Sequence, residues 1–492
     1  VDGDRYEPAV RGVTLLWVWT IPVLFLVLVL LGLTMRLGQS GIINVDPDYF
    51  YAVMTVHGLG MAGVAFTGGL VAVNYLLRKY VRINLTIAWA MYGLTVLGVA
   101  GLVVACLIGR FGPGWYMLYP LPFLSNGVWP DWALGLAVLS LIVLGVAWLL
   151  GQIDLFRALL ARYGLADALG WQYLGKERSG RTEIPPIVLI SAAGCLVPGI
   201  LTTIVGAVLL MLYLFKWVSA SLVFDALLLK NMVFLWGHTL VNITMYLGLA
   251  VVYELLPEYT GRPWKTNSVV AVAWNLVLVL VLFAFFHHLY MDFVQPVSLQ
   301  FIGQVASYLS AVPATVVTVF GVIGQVYRSG VQWRFAPLCV YLGIIGWVIG
   351  GFAAVVDSTI TINSVYHNTL WVPAHFHTYF LVGYFLILWG FLFEFSGSAR
   401  ETLAKAGLML VVAGGYGFLL MFYLGGTFGV PRRFASYDAI PITSLATFGE
   451  RTAMAASGFV AVFVIGLIAV IGAIYMGLAG GALSGRTATS NS

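Results

Sequence analysis

Twelve runs of about 20 or more predominantly apolar residues divide this 492-residue chain, each long enough to cross the ~30 Å hydrocarbon core of a bilayer as a helix. They lie at about 12–35, 49–77, 85–109, 132–156, 185–215, 231–256, 268–293, 300–327, 335–356, 370–395, 403–426 and 454–478. With 61% hydrophobic residues, 9% charged residues and a mean hydropathy of +0.97, the chain carries more apolar surface than a soluble domain can bury. The sequence predicts an all-α, polytopic protein in membrane lipid, a single integral domain over 1–492 with a short polar tail at 479–492.

The first run is full length and lacks a small-residue cleavage pattern, so it reads as a span and the N-terminus as cytoplasmic. Numbering twelve helices from that side puts both termini in the cytoplasm of a cell with this protein in its plasma membrane. The inner loops and tails then hold seventeen of the twenty-four basic residues, among them Arg5, Lys176, Arg178, Arg181 and Arg486. That asymmetry follows the positive-inside rule, so the net charge of +5 reflects orientation and calls for no nucleic-acid partner. Cys106, Cys195 and Cys339 each sit alone in an apolar run and read as small core residues.

All seven histidines, His57, His238, His287, His288, His367, His375 and His377, fall in or beside these runs. Ionisable side chains are costly at membrane depth and mark places where something is bound. The topology puts His57 about eight residues, roughly 12 Å, below the outer end of its helix, with His238 at a similar depth. His287 and His288 fall near the outer exit of the seventh helix, and His375 and His377 in the first turns of the tenth. Six histidines from four helices thus converge on one layer in the outer half of the membrane. Residues two apart on an α-helix point about 200° away from each other, so His375 and His377 suit two planar cofactors on opposite sides of one helix. Adjacent His287 and His288 diverge by about 100° and can reach one small ion together with His238. Three imidazoles suit copper or zinc, whereas single axial imidazoles suit haem iron.

The segments MTVHG around His57, WGHTLVN around His238, FFHHLYMD around His287 and His288, and WVPAHFH ending at His377 resemble the catalytic subunit, subunit I, of the haem-copper oxidase superfamily. The resemblance runs along essentially the whole chain, and HNTLWVPAHFH is similar to the B-type branch, which has a histidine where this chain has His367. It implies that His57 and His377 are axial ligands of a low-spin haem, that His375 is the proximal ligand of a high-spin haem, and that His238, His287 and His288 bind one copper ion. It also implies that Arg432 and Arg433, in GGTFGVPRRFASYD, pair with haem propionates, a role that guanidinium fork geometry suits, with His367 nearby. Tyr253 resembles a tyrosine on the proton path of B-type oxidases.

Four positions depart from the oxygen-reducing pattern. Most oxygen-reducing members carry a crosslinked tyrosine four residues after the first copper histidine, where this chain has Asn242; the C-type branch places its tyrosine where this chain has Val281. After Pro313, Ala314 and Val317 replace hydroxyl residues of the B-type proton path, with Thr315 and Thr318 as nearby substitutes. Splitting O2 in one step takes four electrons, one of them from the tyrosine, whereas coupling two NO to N2O and water takes two, which iron and copper provide.

The first expectation is therefore a B-type-derived nitric oxide reductase, with Asn242 hydrogen-bonding the bound nitrogen oxide or a water. The second is a terminal oxygen reductase with Tyr246, one turn beyond Asn242, as the redox side chain. The third is a non-enzymatic transporter or haem carrier. The chain has neither a Cys-rich dinuclear copper motif nor CxxCH, so electrons are expected to enter through a partner subunit, cupredoxin-like or cytochrome c-like, from a soluble cytochrome c or cupredoxin.

Overall fold

Helix ends are set by polar caps that the sequence supplies at the edge of apolar runs. Asp46 precedes Pro47 and accepts from the Asp48 N–H at 2.8 Å, and Asn84 accepts from the N–H groups of Thr86 and Ile87. Asp225 accepts from Leu228 N–H, Asn267 from Val270 N–H, and Gly261, in the left-handed conformation at φ 66°, ends the helix that Asp225 starts. These caps satisfy N–H groups that lipid cannot.

The computed structural model describes residues 3–175, 182–292, 294–397 and 399–489. Lys176, Arg178 and Arg181 of the expected inner basic set lie outside the described residues, as do the Arg5 and Arg486 side chains and residues 490–492 of the expected tail. Twelve helices among the described residues are long and apolar enough to cross a membrane. They are α1 (Tyr6–Gln39), α2 (Pro47–Leu77), α3 (Leu85–Ile108), α4 (Asp131–Tyr173), α5 (Pro186–Val218), α6 (Ala226–Thr260), α7 (Ser268–Leu289), α8 (Val297–Val326), α9 (Phe335–Asp357), α10 (Trp371–Phe395), α11 (Glu401–Thr427) and α12 (Thr443–Gly480). The all-α architecture and the twelve spans agree with the sequence reading.

The differences are at the ends. The α4 helix runs well past the expected 132–156, with a break at Gly164 (φ 71°), because hydropathy stops at the Asp154–Arg157 pair while the helix continues. Helical backbone at the C-terminal end continues through Thr489, into the segment expected as a polar tail. The largest difference concerns α7, whose last turn, Phe285–Leu289, is a 3₁₀ helix. Neighbouring residues there diverge by about 120° rather than 100°. Cys106, Cys195 and Cys339 are buried and free, as expected.

The centre of the bundle is α6 and α10, whose most apolar windows are 89% and 83% buried, against 28% for α8 at the periphery. The α12 helix closes on α1, where the Tyr475 hydroxyl donates to the Trp19 carbonyl at 2.6 Å. Close approach of α9 to α10 depends on Gly346, where a Cβ would stand 2.0 Å from the Val382 carbonyl oxygen and 2.4 Å from its carbon. Those are backbone atoms, which cannot swing aside. Gly346→Ala is expected to lower stability by about 3 kcal/mol or more, read as a fall in the unfolding midpoint of the purified protein.

Candidate metal centre

Consecutive spans alternate direction, so the starts of α2, α6 and α10 and the end of α7 meet at one end of the bundle, bringing six histidines together. They open onto one cavity of 650 Å³, whose walls also include Asn242, Arg36, His367, Arg432 and Arg433.

His57 of α2 and His377 of α10 face each other with ring centroids 6.4 Å apart and planes 19° from parallel. The Nδ1 of His57 donates to the Leu28 carbonyl at 2.8 Å, and that of His377 to the Pro373 carbonyl at 2.7 Å. A carbonyl only accepts, so each Nδ1 carries the proton and each Nε2 keeps its lone pair. A metal–imidazole bond of about 2 Å, plus ~1.1 Å from nitrogen to centroid, puts two trans imidazoles ~6.3 Å apart. The observed separation fits one metal atom between the rings. Gly32 of α1 supports this pose, since a Cβ there would stand 2.9 Å from His57 Cε1.

His238, His287 and His288 offer nitrogens that all lie within 4.8 Å of one another. His238 Nδ1 is 3.2 Å from His288 Nε2. The Asn242 amide nitrogen lies 2.9 Å from His238 Nε2 and donates to the His238 carbonyl, also at 2.9 Å. It secures the nitrogen opposite the cluster and leaves Nδ1 facing the other two rings. Ser307 acts likewise on His287: its hydroxyl donates to Gly303 O at 2.6 Å and accepts from His287 Nδ1 at 2.9 Å. Phe234 stacks on His288 at 5.0 Å. One helical turn places the Asn242 amide on the His238 ring, a contact that the sequence reading did not anticipate.

His375 donates through Nδ1 to Asp357 Oδ2 at 2.8 Å, and its Nε2 is buried with no hydrogen-bond partner. An orphaned lone pair beside a large cavity is the state of a ligand atom, and it fits a single axial iron. Arg432 and Arg433 stand at the rim, where Arg432 Nε is buried without a partner. Burial, reinforced by neighbouring Arg433, pushes the Arg432 guanidinium down to about 9. A half-buried cationic pair with one unpartnered Nε fits an anion such as a carboxylate. His367 donates to Asn363 Oδ1 at 3.1 Å and is pushed down to about 4 by burial and then by Arg432 and Arg433. An antiparallel bridge, Thr369 with Pro431, joins the segment entering α10 to the arginine loop, with Leu370 N–H on Val430 O and Arg432 N–H on Asn368 O, both at 2.9 Å.

A family model described as cytochrome c and quinol oxidase polypeptide I matches residues 12–460. The chain belongs to that family. Members of this haem-copper oxidase subunit I family bind haems and copper, and the donor sets described above fit both. The family member is 26% identical over 407 residues to a probable cytochrome c oxidase subunit 1 of Bradyrhizobium diazoefficiens, covering 80% of this chain and 59% of that one. It is 24% identical over 436 residues to cytochrome c oxidase subunit 1 of Synechocystis sp., covering 82% of this chain and 73% of that one. The solved structure of a heme-copper terminal oxidase dimer superposes with a TM-score of 0.78 at 19% identity, over 96% of this chain and 84% of the other, and so shares the fold.

Sequence reasoning missed Asp357, Ser307, Asn363 and Gly32. Of these only Asp357 carried a signal, as an acidic residue at the edge of an apolar run, a signal it shares with Asp154, Glu254, Asp292 and Glu394. Two tyrosines are settled differently. Tyr246 is buried edge-on to Trp274 at 5.3 Å and does not line the cavity. Tyr253 shares a hydrogen bond with Thr318 at 3.1 Å, whereas the Thr315 hydroxyl donates back to Ala311 O.

Proposed function

We propose that this chain is the catalytic subunit of a B-type-derived respiratory reductase that couples two NO to N2O and water. In this reading His57 and His377 hold a low-spin haem, His375 a high-spin haem, and His238, His287 and His288 a copper ion. Electrons enter through a partner subunit from a small cytochrome or cupredoxin. The single observation that carries the choice of substrate is the amide of Asn242 on His238 Nε2, where most of the family's oxygen reductases carry a phenol.

The reaction 2 NO + 2 electrons + 2 protons gives N2O and H2O. When bound, haem iron and copper supply the two electrons. The chain's own residues hold the geometry: Asn242 and Ser307 fix the two imidazoles they touch, and Arg432 and Arg433 supply positive charge for the propionates. Tyr253 and Thr318 offer one hydroxyl pair of a proton path from the inner side.

The names of the relatives favour a second reading, oxygen reduction. It needs an electron-donating side chain near the copper, and Tyr246 packs on Trp274 instead. Turnover of the purified, reduced enzyme with NO and with O2 under matched conditions decides between them. The first reading predicts stoichiometric N2O from NO and slow O2 uptake; rapid O2 reduction with little N2O overturns it. Asn242→Ala is expected to lower NO turnover about 10–100-fold, as loss of a partner to a metal-ligating imidazole does, with both haem spectra retained.

A further inference from the structure

We propose that Asp357 is a positioning residue that gives the His375 imidazole anionic character, so that iron bound to His375 has a strong axial bond and a lowered potential. The inference rests on the reading of His375 as an axial ligand.

Of the six histidines that converge on the site, four donate to a partner that fixes the ring, and the acceptors differ in kind. His57 and His377 donate to peptide carbonyls, and His287 donates to a hydroxyl. His375 alone of these donates to a carboxylate, Asp357 Oδ2, at 2.8 Å. A hydrogen bond to an ionised acceptor is about twice as strong as one between neutral groups. It also moves the shared proton toward the acceptor, which leaves more electron density on the far nitrogen.

The placement is built rather than incidental. Asp357 is the last residue of α9 and 5% exposed. Its Oδ1 is buried without a hydrogen-bond partner, so the side chain's hydrogen bonding is spent on this one imidazole. Its backbone carbonyl accepts from Asn363 Nδ2 at 2.7 Å, and Asn363 Oδ1 in turn accepts from His367, which ties the carboxylate's position to the segment leading into α10. Arg432 lies within electrostatic range and supplies countercharge. The unpartnered Nε2 of His375 is the atom that receives the added electron density.

A more basic axial ligand stabilises oxidised over reduced iron. The consequence is asymmetric: the iron between His57 and His377 is held by carbonyl-bonded imidazoles and keeps an ordinary potential, while the His375 iron is shifted downward.

The test is the iron–histidine stretching frequency of the reduced protein by resonance Raman, with a redox titration of each haem, in the wild type, Asp357→Asn, Asp357→Glu and His375→Ala. Asp357→Asn keeps volume and an acceptor oxygen but removes the charge. It is expected to lower the frequency and move the high-spin couple about tenfold toward the reduced form, ~59 mV for one electron, with the low-spin couple unchanged. Asp357→Glu is expected to fall between the two, and serves alone if the asparagine variant does not accumulate. Wild-type frequency and potential in either variant, with the high-spin signal absent from His375→Ala, overturn the role of Asp357 alone. A high-spin signal that survives in His375→Ala overturns the axial reading and this proposal together.

Discussion

In the proposed reading, His238→Ala is expected to remove copper and abolish NO turnover while both haem spectra persist. The expectation follows from geometry: His238 is the one member of the three-imidazole cluster supplied by α6, and its Nδ1 stands 3.2 Å from His288 Nε2. Two imidazoles remain after the substitution, too few for a closed site of the copper type. Loss of a group that merely orients a ligand lowers metal affinity or activity about 10–100-fold, so loss of the ligand itself lowers turnover by more than about 100-fold. Metal analysis and full absorption spectra of the same preparation check it. Full copper content with full activity in His238→Ala would remove the cluster from the mechanism.

His57→Ala has the opposite signature. The low-spin spectrum disappears, copper is retained, and turnover with the external electron donor falls by more than about 100-fold. His57 and His377 stand 6.4 Å apart with each Nδ1 fixed on a carbonyl, and alanine leaves the second ring without a trans partner. Copper is retained because α6 and α7 carry the cluster. Absorption spectra of the reduced protein, together with copper content, separate this variant from a general failure to fold. Reduction by a small chemical reductant that bypasses the low-spin haem is expected to restore part of the activity; no restoration would mean that the residue acts elsewhere.

The spans and the convergence of six histidines were legible because hydropathy records lipid contact and because a single residue type marks the cavity wall. Helix ends were not, as α4 shows: past Asp154 its sequence is charged but still helical, held by tertiary contact and the Arg157 pair. The position of Asn242 was legible, but its contact with the His238 imidazole was not, since an amide in the cavity wall has several partners within reach. Ser307 and Asp357 reach their histidines from other helices, and no periodicity in α7 or α10 encodes such a pairing. The 3₁₀ turn of Phe285–Leu289 escaped for a further reason: over five residues its apolar pattern matches that of an α-helix.

All of these ligands open onto a single cavity, and that shapes how the protein comes into being. His57 and His377 sit on α2 and α10, so the pair closes only after most of the chain has been made. A bundle that closed first would seal a 650 Å³ space containing a bare His375 nitrogen and two guanidiniums at its rim. Buried polar groups left in that state cost stability, and a cofactor that binds only the folded form repays it by mass action. Cofactor seating would thus be coupled to folding, since a group held between α2 and α10 stabilises the closed bundle over the open one.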